Sequence, residues 1–203
     1  MAVAAAPLGD AAVRCVVDDL AQSHALHAAV ADAQLPGVVN VVPTWRCVVV
    51  TVTHPMFVPS VLDFVSGVDV TAAPPRSTRE HQLTIHYDGE DLHDVAARCG
   101  IGVAAFTERH SQADYVVAFL GFAPGFAYLS GLPAALSVPR LATPRGRVPA
   151  GSVGIADGVT GIYPAALPGG WQLIGRVDER LFDEQLTPPA LLAPGDRVRF
   201  VPA

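Results

Sequence analysis

The sequence contains no lysine, and each of its 13 basic residues is an arginine. This absence excludes a P-loop lysine, a Schiff-base lysine and a lysine general base from the chain. If the protein binds phosphate or another anion, arginine side chains and backbone amides must supply the contacts.

Cysteine is scarce, with only Cys15, Cys47 and Cys99, which stand far apart among apolar residues. An odd, dispersed set of this kind is typical of buried thiols in a reducing cytosol and not of a disulfide framework. HExxH and CxxC motifs are missing too, and His24 and His27 share a predicted helix without a further ligand. We therefore expect no metal site.

Long apolar runs and basic tracts are also missing. No apolar run approaches the roughly 18 residues that span a bilayer, and the N-terminal residues lack the charged and apolar regions of a signal peptide. The formal net charge of −6 comes without an arginine-rich tract, which disfavours nucleic-acid binding. These features predict a cytoplasmic protein that binds neither membranes nor nucleic acids.

The composition that is present, 51% hydrophobic over 203 residues, leaves room for one large or two small folded domains. Residues 1–78 predict a small α/β domain that ends in a proline-containing linker at Asp69–Arg79. Hydrophobic periodicity, β-branched runs and stop signals predict its secondary structure. The helices are Asp19–Gln34 and Pro59–Ser66, and the strands are Ala12–Val17, Val38–Val42 and Cys47–Val52.

Residues 79–203 predict a β-barrel or a β-sandwich. Eleven of the 18 glycines and seven of the 18 prolines lie between Gly121 and Arg176. This density of glycine and proline is typical of tight turns that join short strands. The predicted elements of this part are the strands Leu83–Tyr87, Tyr115–Phe119 and Ser152–Ala156 and the helices Asp91–Arg98 and Glu108–Ala113.

Basic residues concentrate in the same glycine-rich window. It holds Arg140, Arg145, Arg147 and Arg176 against one acid, Asp157, so its formal charge is +3 in an otherwise acidic chain. The planar guanidinium suits carboxylate or phosphate, and glycine-rich turns can add backbone N–H groups. This pattern indicates an anion site, with Arg140 and Arg147 as leading candidates. Alternatively, the arginines decorate the barrel or bind a partner protein.

Other polar and aromatic residues are candidates for the same site. His110, near the end of a predicted helix, is a candidate general base or acid that faces a cleft, or else a surface histidine. Ser152 lacks the G-x-S-x-G motif and a neighbouring base, which favours a turn serine over a nucleophile. Candidate walls of a pocket for a small ring are Phe126, Tyr128 and Trp171, together with Phe122, for which packing in the barrel is favoured.

Four ordered motifs give the chain a family resemblance. They are GFAPGFAYLSGLP at Gly121–Pro133, PRLATPRGRVPAGSVGIA at Pro139–Ala156, TGIYP at Thr160–Pro164 and PGGWQLIGR at Pro168–Arg176. Together they resemble the 5-oxoprolinase B-subunit family, whose members are also called allophanate hydrolase subunit 1 or Kip inhibitor. Similar blocks elsewhere, such as PALLAPGDRVRF at Pro189–Phe200, extend the resemblance over nearly the whole chain.

The resemblance implies an α+β fold, in which a small α/β N-terminal domain, residues 1–78, precedes a cyclophilin-like β-barrel of the carboxyltransferase C/D type, residues 79–203. It also implies a heteromeric complex with homologues of the C and A subunits of 5-oxoprolinase. ATP would be used by the complex, and the sequence leaves open which of the subunits holds the nucleotide. The complex would open the lactam of 5-oxo-L-proline to L-glutamate, and the isolated chain would be inactive.

In such a complex this chain would contribute to a site for a small anionic substrate. ATP would activate the amide group of that substrate. The predicted catalytic residues are His110, Arg140 and Arg147. The predicted substrate-binding residues are Phe126, Tyr128, Arg145, Ser152, Trp171 and Arg176. Three alternatives stay open: inhibition of a sensor histidine kinase, a role in an allophanate hydrolase or carboxyltransferase-type complex, and prolyl isomerisation, which only the barrel fold suggests.

Overall fold

The computed structural model describes residues 3–71 and 79–203. The chain forms two compact units, residues 1–78 and 79–203. The central part of the predicted linker, residues 72–78, lies outside the described residues. Among the described residues, no helix has the length and apolar character needed to cross a membrane.

The first unit is a four-stranded antiparallel sheet covered by two helices. Its strands are β1 (Ala4–Pro7), β2 (Ala12–Val16), β3 (Val38–Pro43) and β4 (Cys47–Val52). They lie in the order β1-β2-β4-β3. The helices are α1 (Leu20–Ala33) and α2 (Val58–Ser66), and a 3₁₀ turn at Pro55–Phe57 precedes α2. The two predicted helices and three predicted strands are confirmed, while β1 was not foreseen.

Alternation along the strands explains the core of this unit. Val48, Val50 and Val52 on β4 are buried and pack with residues of α1 and α2, such as Leu26 and Val61. Because successive strand residues point to opposite faces, these valines form one apolar face of the sheet. The first helix begins where the Asp19 carboxylate accepts the N–H of Gln22 at 2.8 Å, which satisfies a free backbone donor.

The second unit contains a closed barrel of seven strands. These strands are β5 (Glu80–His86), β6 (Tyr115–Leu120), β7 (Ala127–Ser130), β9 (Ser152–Ala156), β10 (Val159–Ile162), β12 (Gln172–Val177) and β13 (Arg197–Pro202). Around the barrel the order is β10-β7-β6-β13-β5-β12-β9. The short strands β8 (Arg145–Val148) and β11 (Leu167–Gly169) pair as a separate two-stranded sheet.

Two helices and one 3₁₀ turn complete the barrel unit. They are α3 (Leu92–Arg98), α4 (Val103–Ser111) and the turn Ala134–Leu136. The prediction of a helix over Glu108–Ala113 is wrong at its start, because α4 begins at Val103 after the extended residue Gly102. Phe106 and His110, four residues apart, are the buried residues of α4, so packing against the barrel stabilises the earlier start.

Candidate functional site

A row of five cross-strand neighbours crosses the outer face of the barrel. The pairs Phe119–Tyr128, Tyr128–Gly161, Gly161–Gly154 and Gly154–Leu173 connect β6, β7, β10, β9 and β12. Directly opposed residues in antiparallel strands point to the same face. The alternate residues, such as Leu129, Ile155 and Ile162, belong to the main core of the unit, so the row faces outward.

Gly154 and Gly161 make this part of the outer face flat. A Cβ atom on Gly161 would lie 2.7 Å from Cζ3 of Trp171 and 3.1 Å from Cε1 of Phe126. A Cβ atom on Gly154 would lie 3.0 Å from Cβ of Trp171. The aromatic side chains therefore rest directly on the backbone of β9 and β10, and any larger residue would push them outward.

Four rings form an aromatic cluster on this surface, consisting of Phe126, Tyr128, Tyr163 and Trp171. The ring centroids of Phe126 lie 5.0 Å from Tyr128, 5.2 Å from Tyr163 and 5.6 Å from Trp171. The contacts with Tyr163 and Trp171 are edge-to-face, a favourable geometry for aromatic pairs. The structure thus brings together the predicted pocket residues Phe126, Tyr128 and Trp171 and adds Tyr163, whose signal was the TGIYP motif.

Arg140 lies beside this aromatic cluster with part of its guanidinium unoccupied. Its Nε is 3.0 Å from Oδ2 of Asp157, in a pair exposed to 60% and 56%. Within residues 3–71 and 79–203, neither Nη atom of Arg140 has a polar partner. Burial raises the pKa of Tyr128, and the positive charge of Arg140 partly offsets this rise. The N–H of the next residue, Leu141, donates to the carbonyl oxygen of Gly170 at 2.7 Å, which places Arg140 beside the segment that carries Trp171.

Arg145 differs from the prediction of a substrate ligand, because all three nitrogens of its guanidinium already have partners. Its Nε lies 2.6 Å from Glu90, and its Nη2 contacts both carboxylate oxygens of Asp91 at 2.7 and 2.8 Å. Its Nη1 donates to the carbonyl oxygen of Trp171 at 3.2 Å. These contacts give Arg145 the role of fixing the backbone beside Trp171.

Arg176 is also neutralised, and Arg147 is not. Arg176 contacts Asp88 at 3.0 Å and Asp178 at 2.8 Å. Arg147 is exposed on β8 and has no ion-pair partner in the part of the chain that the structure describes. Acids outside the window therefore reduce its predicted excess positive charge. Arg147 and the two Nη atoms of Arg140, whose Nε is paired with Asp157, are left for an anion.

His110 differs from the expectation of a cleft-facing or surface imidazole, because its side chain is fully buried. Its Nδ1 lies 2.8 Å from the hydroxyl of Tyr87 and its Nε2 lies 3.3 Å from that of Thr160. Its ring also packs against Phe106, Tyr115 and Phe200. Burial lowers the pKa of His110 to about 3, so the imidazole is neutral at physiological pH.

Ser152 is the first residue of β9, is 7% exposed, and pairs across the strands with Arg176. Its N–H donates to the carbonyl oxygen of Pro149 at 3.4 Å, so it closes the predicted turn and begins the predicted strand Ser152–Ala156. It shares the outer face with Gly154, since the two are separated by one residue. Among the described residues, no group of three or more His, Cys, Asp or Glu side chains has the arrangement of a metal site.

Comparison with known sequences gives the site a context. The profile of the family described as carboxyltransferase domain, subdomain C and D, matches residues 3–192. An Escherichia coli O157:H7 protein, named as the B subunit of 5-oxoprolinase, is 58% identical over 114 residues, which are 56% of this chain and 52% of that protein. A Haemophilus influenzae protein of the same name is 48% identical over 126 residues, 61% of this chain and 59% of that protein. The chain thus spans about half the length of these curated relatives.

Solved structures extend the likeness over the whole chain. PH0987 from Pyrococcus horikoshii, described as a conserved uncharacterized protein, is 35% identical with a TM-score of 0.60, over 98% of this chain and 97% of that chain. The Kluyveromyces lactis urea amidolyase is 18% identical with a TM-score of 0.72, over 99% of this chain and 15% of that chain. At that identity the second likeness concerns the fold alone, and it confirms the predicted α+β architecture with a barrel.

Proposed function

The chain belongs to the carboxyltransferase domain family, subdomain C and D, and we propose that it is one subunit of an ATP-dependent complex that converts 5-oxo-L-proline to L-glutamate. The relatives named as B subunits of 5-oxoprolinase support this reaction. The word subunit in those names implies further chains, and the proposal takes them to be homologues of the C and A subunits of 5-oxoprolinase. With three free cysteines, the proposed location is the reducing cytoplasm.

The observation that carries the proposal is the pair of unpaired Nη atoms of Arg140, which lie beside the aromatic cluster. The substrate is a five-membered lactam ring with one carboxylate. In the proposed complex the ring rests on Tyr128, the member of the aromatic cluster that is not buried, and the carboxylate accepts hydrogen bonds from the two free Nη atoms of Arg140. Asp157, bound to Nε, holds the guanidinium in place without covering these atoms.

The other two predicted catalytic residues, Arg147 and His110, have different roles in the proposal. Arg147 stays a predicted second anion ligand, since it is exposed. We propose no substrate contact for His110, because Thr160 faces His110 while the neighbouring Gly161 faces the aromatic cluster. A substrate on the outer face is therefore separated from the imidazole by the strand β10.

We propose that ATP is bound by another member of the complex, because this chain lacks the residues of a P-loop. A phosphate cradle commonly uses a lysine and glycine N–H groups at the start of a helix. This chain has no lysine, and none of the glycines between residues 121 and 176 begins an α-helix among the described residues. The task of this chain in the proposal is therefore to bind and orient the cyclic acid.

The complex itself is tested by coexpression. We expect the chain to copurify with homologues of the C and A subunits, through an interface above roughly 1,000 Å², and the complex to release glutamate from 5-oxoproline only with ATP. We expect the isolated chain to release almost none. Separate migration of all chains, or glutamate release by the isolated chain, would contradict the proposal.

Arg140→Ala is expected to reduce kcat/KM of the assembled complex by roughly tenfold to a hundredfold. Loss of a charge-assisted hydrogen-bonded pair costs about 1.5 to 3 kcal/mol. Arg140→Lys keeps the charge without the planar fork, so it should restore activity only in part.

The matched control for Arg140 is Arg199→Ala. Arg199 is 55% exposed and contacts Asp114 at 3.1 Å, so it resembles Arg140 in exposure and pairing but lies on β13. Its replacement should leave kcat/KM unchanged. Equal activity of Arg140→Ala and the control, with assembly intact, would remove Arg140 from the proposed site.

A further inference from the structure

The loop between β6 and β7 contains a rare backbone turn. Phe122 has a φ of +71°, and the N–H of Ala123 donates to the carbonyl oxygen of Gly121 at 2.8 Å. A hydrogen bond between residues two apart, around a residue with φ near +75°, defines the rare and strained form of the γ-turn. A residue with a Cβ atom adopts this conformation only where surrounding contacts enforce it.

The packing of Phe122 does not explain this strain. Its side chain is 60% exposed, which differs from the sequence-based preference for packing in the barrel. Its ring contacts Phe126 edge-to-face, at a centroid distance of 5.3 Å. A strained residue that leaves most of its ring in water contributes little to the core, so a function outside folding is indicated.

The loop holds Phe122 in one position. The N–H of Phe126 donates to Ala123 at 3.0 Å, and that of Gly121 donates to Phe126 at 3.1 Å. A Cβ atom on Gly125, whose φ is +79°, would lie 2.7 Å from Cβ of Phe182. The backbone of the loop is thus bonded to itself and packed closely against the segment that contains Phe182.

We propose that Phe122 is the outer wall of the ring-binding site and that a small cyclic carboxylate lies between its ring and that of Tyr128. This inference rests on the proposed function. Phe126, Tyr163 and Trp171 are at most 5% exposed, so they have little surface to offer a ligand. Phe122 and Tyr128 both contact the ring of Phe126, at 5.3 and 5.0 Å, and therefore flank the same buried ring.

The strain is tested by comparing two substitutions that both remove the ring. Glycine normally destabilises a protein relative to alanine, but at positive φ the order reverses. Phe122→Gly should therefore melt higher than Phe122→Ala, by roughly 2 to 4 °C. A lower melting temperature for Phe122→Gly would show that no strain is stored at this position and would remove the first support of the proposal.

Binding is tested with the fluorescence of Trp171 in a Trp45→Phe background. We expect L-5-oxoproline to give a saturable change, and Phe122→Ala and Phe122→Gly to weaken its binding alike, by about fivefold to tenfold. The probe 2-pyrrolidone, which lacks the carboxylate, should lose affinity in the Phe122 variants but not in Arg140→Ala. Leu186→Ala is the matched control, since Leu186 is 61% exposed and should leave binding unchanged.

These results test the role of Phe122 independently of the proposed 5-oxoprolinase reaction. Unchanged binding in the Phe122 variants, or no saturable response of the unsubstituted site, overturns the role of Phe122 whether or not the complex makes glutamate. Loss of assembly with intact ring binding also overturns it, because Phe122 would then lie at an interface with another protein of the complex. Ring binding that depends on Phe122, in a chain whose complexes never release glutamate, supports the site and refutes the proposed reaction.

Discussion

Asp91→Ala is expected to lower the free energy of unfolding of the barrel unit by about 3 to 4 kcal/mol. The carboxylate of Asp91 is 14% exposed and binds Nη2 of Arg145 with both oxygens. It also accepts the N–H of Leu173 at 2.6 Å. Removing it leaves a half-buried guanidinium short of a partner and a backbone donor unsatisfied, and each of these losses is expensive.

The neighbouring carboxylate supplies the control. Glu90 contacts Nε of the same arginine at 2.6 Å but is 61% exposed, and exposed ion pairs contribute at most about 1 kcal/mol. Urea unfolding followed by Trp171 fluorescence in the Trp45→Phe background should show a small loss for Glu90→Ala and a large one for Asp91→Ala. Equal losses would mean that Asp91 is not the anchor of the segment that carries Trp171.

Acid is expected to destabilise the barrel unit through His110, by about 2 kcal/mol between pH 8 and pH 5 and by about 4 kcal/mol near pH 3.5. Burial lowers the pKa of the folded-state imidazole to about 3, while an unfolded chain has a histidine pKa near 6.5. Below about pH 6.5 the unfolded chain therefore binds one proton more than the folded chain. The stability is complete above that pH and is lost as the pH falls towards the folded pKa.

The groups around His110 explain why acid destabilises the folded state. The groups that contact its ring are Tyr87, Tyr115, Thr160, Phe106 and Phe200. Burial raises the pKa of Tyr87 and of Tyr115, so both phenols are neutral, and no carboxylate contacts the imidazole among the described residues. A protonated imidazole there would have no counter-charge.

Comparison of three proteins isolates the contribution of His110. Unfolding free energies measured from pH 8 to pH 5 should fall less steeply for His110→Gln than for the unsubstituted chain, whatever their absolute values. His93→Gln, at an exposed position on α3, should keep the original slope. Parallel profiles for all three would show that the folded chain protonates His110 as readily as the unfolded chain does.

Local signals in the sequence were sufficient for most of the secondary structure. The start of α1 at Asp19, a residue whose carboxylate accepts a backbone N–H, and the alternating valines of β4 depend on neighbours within a few residues. The start of α4 was misplaced because an apolar run such as Val103–Phe106 is compatible with a strand or a helix. Packing of Phe106 and His110 into the barrel unit decided between them.

The sequence by itself determined the α+β fold, the family, the glycine-rich barrel and the set of aromatic and arginine candidates, because these depend on residue types and ordered motifs. Only the tertiary structure decided which candidates meet. Arg145 and Arg176 are paired with Asp91 and Asp88, which lie 54 and 88 residues away in the chain, and no local pattern predicts such pairs. His110 lies in the core and Phe122 at the surface, because closure of the barrel determines which face of each segment meets water.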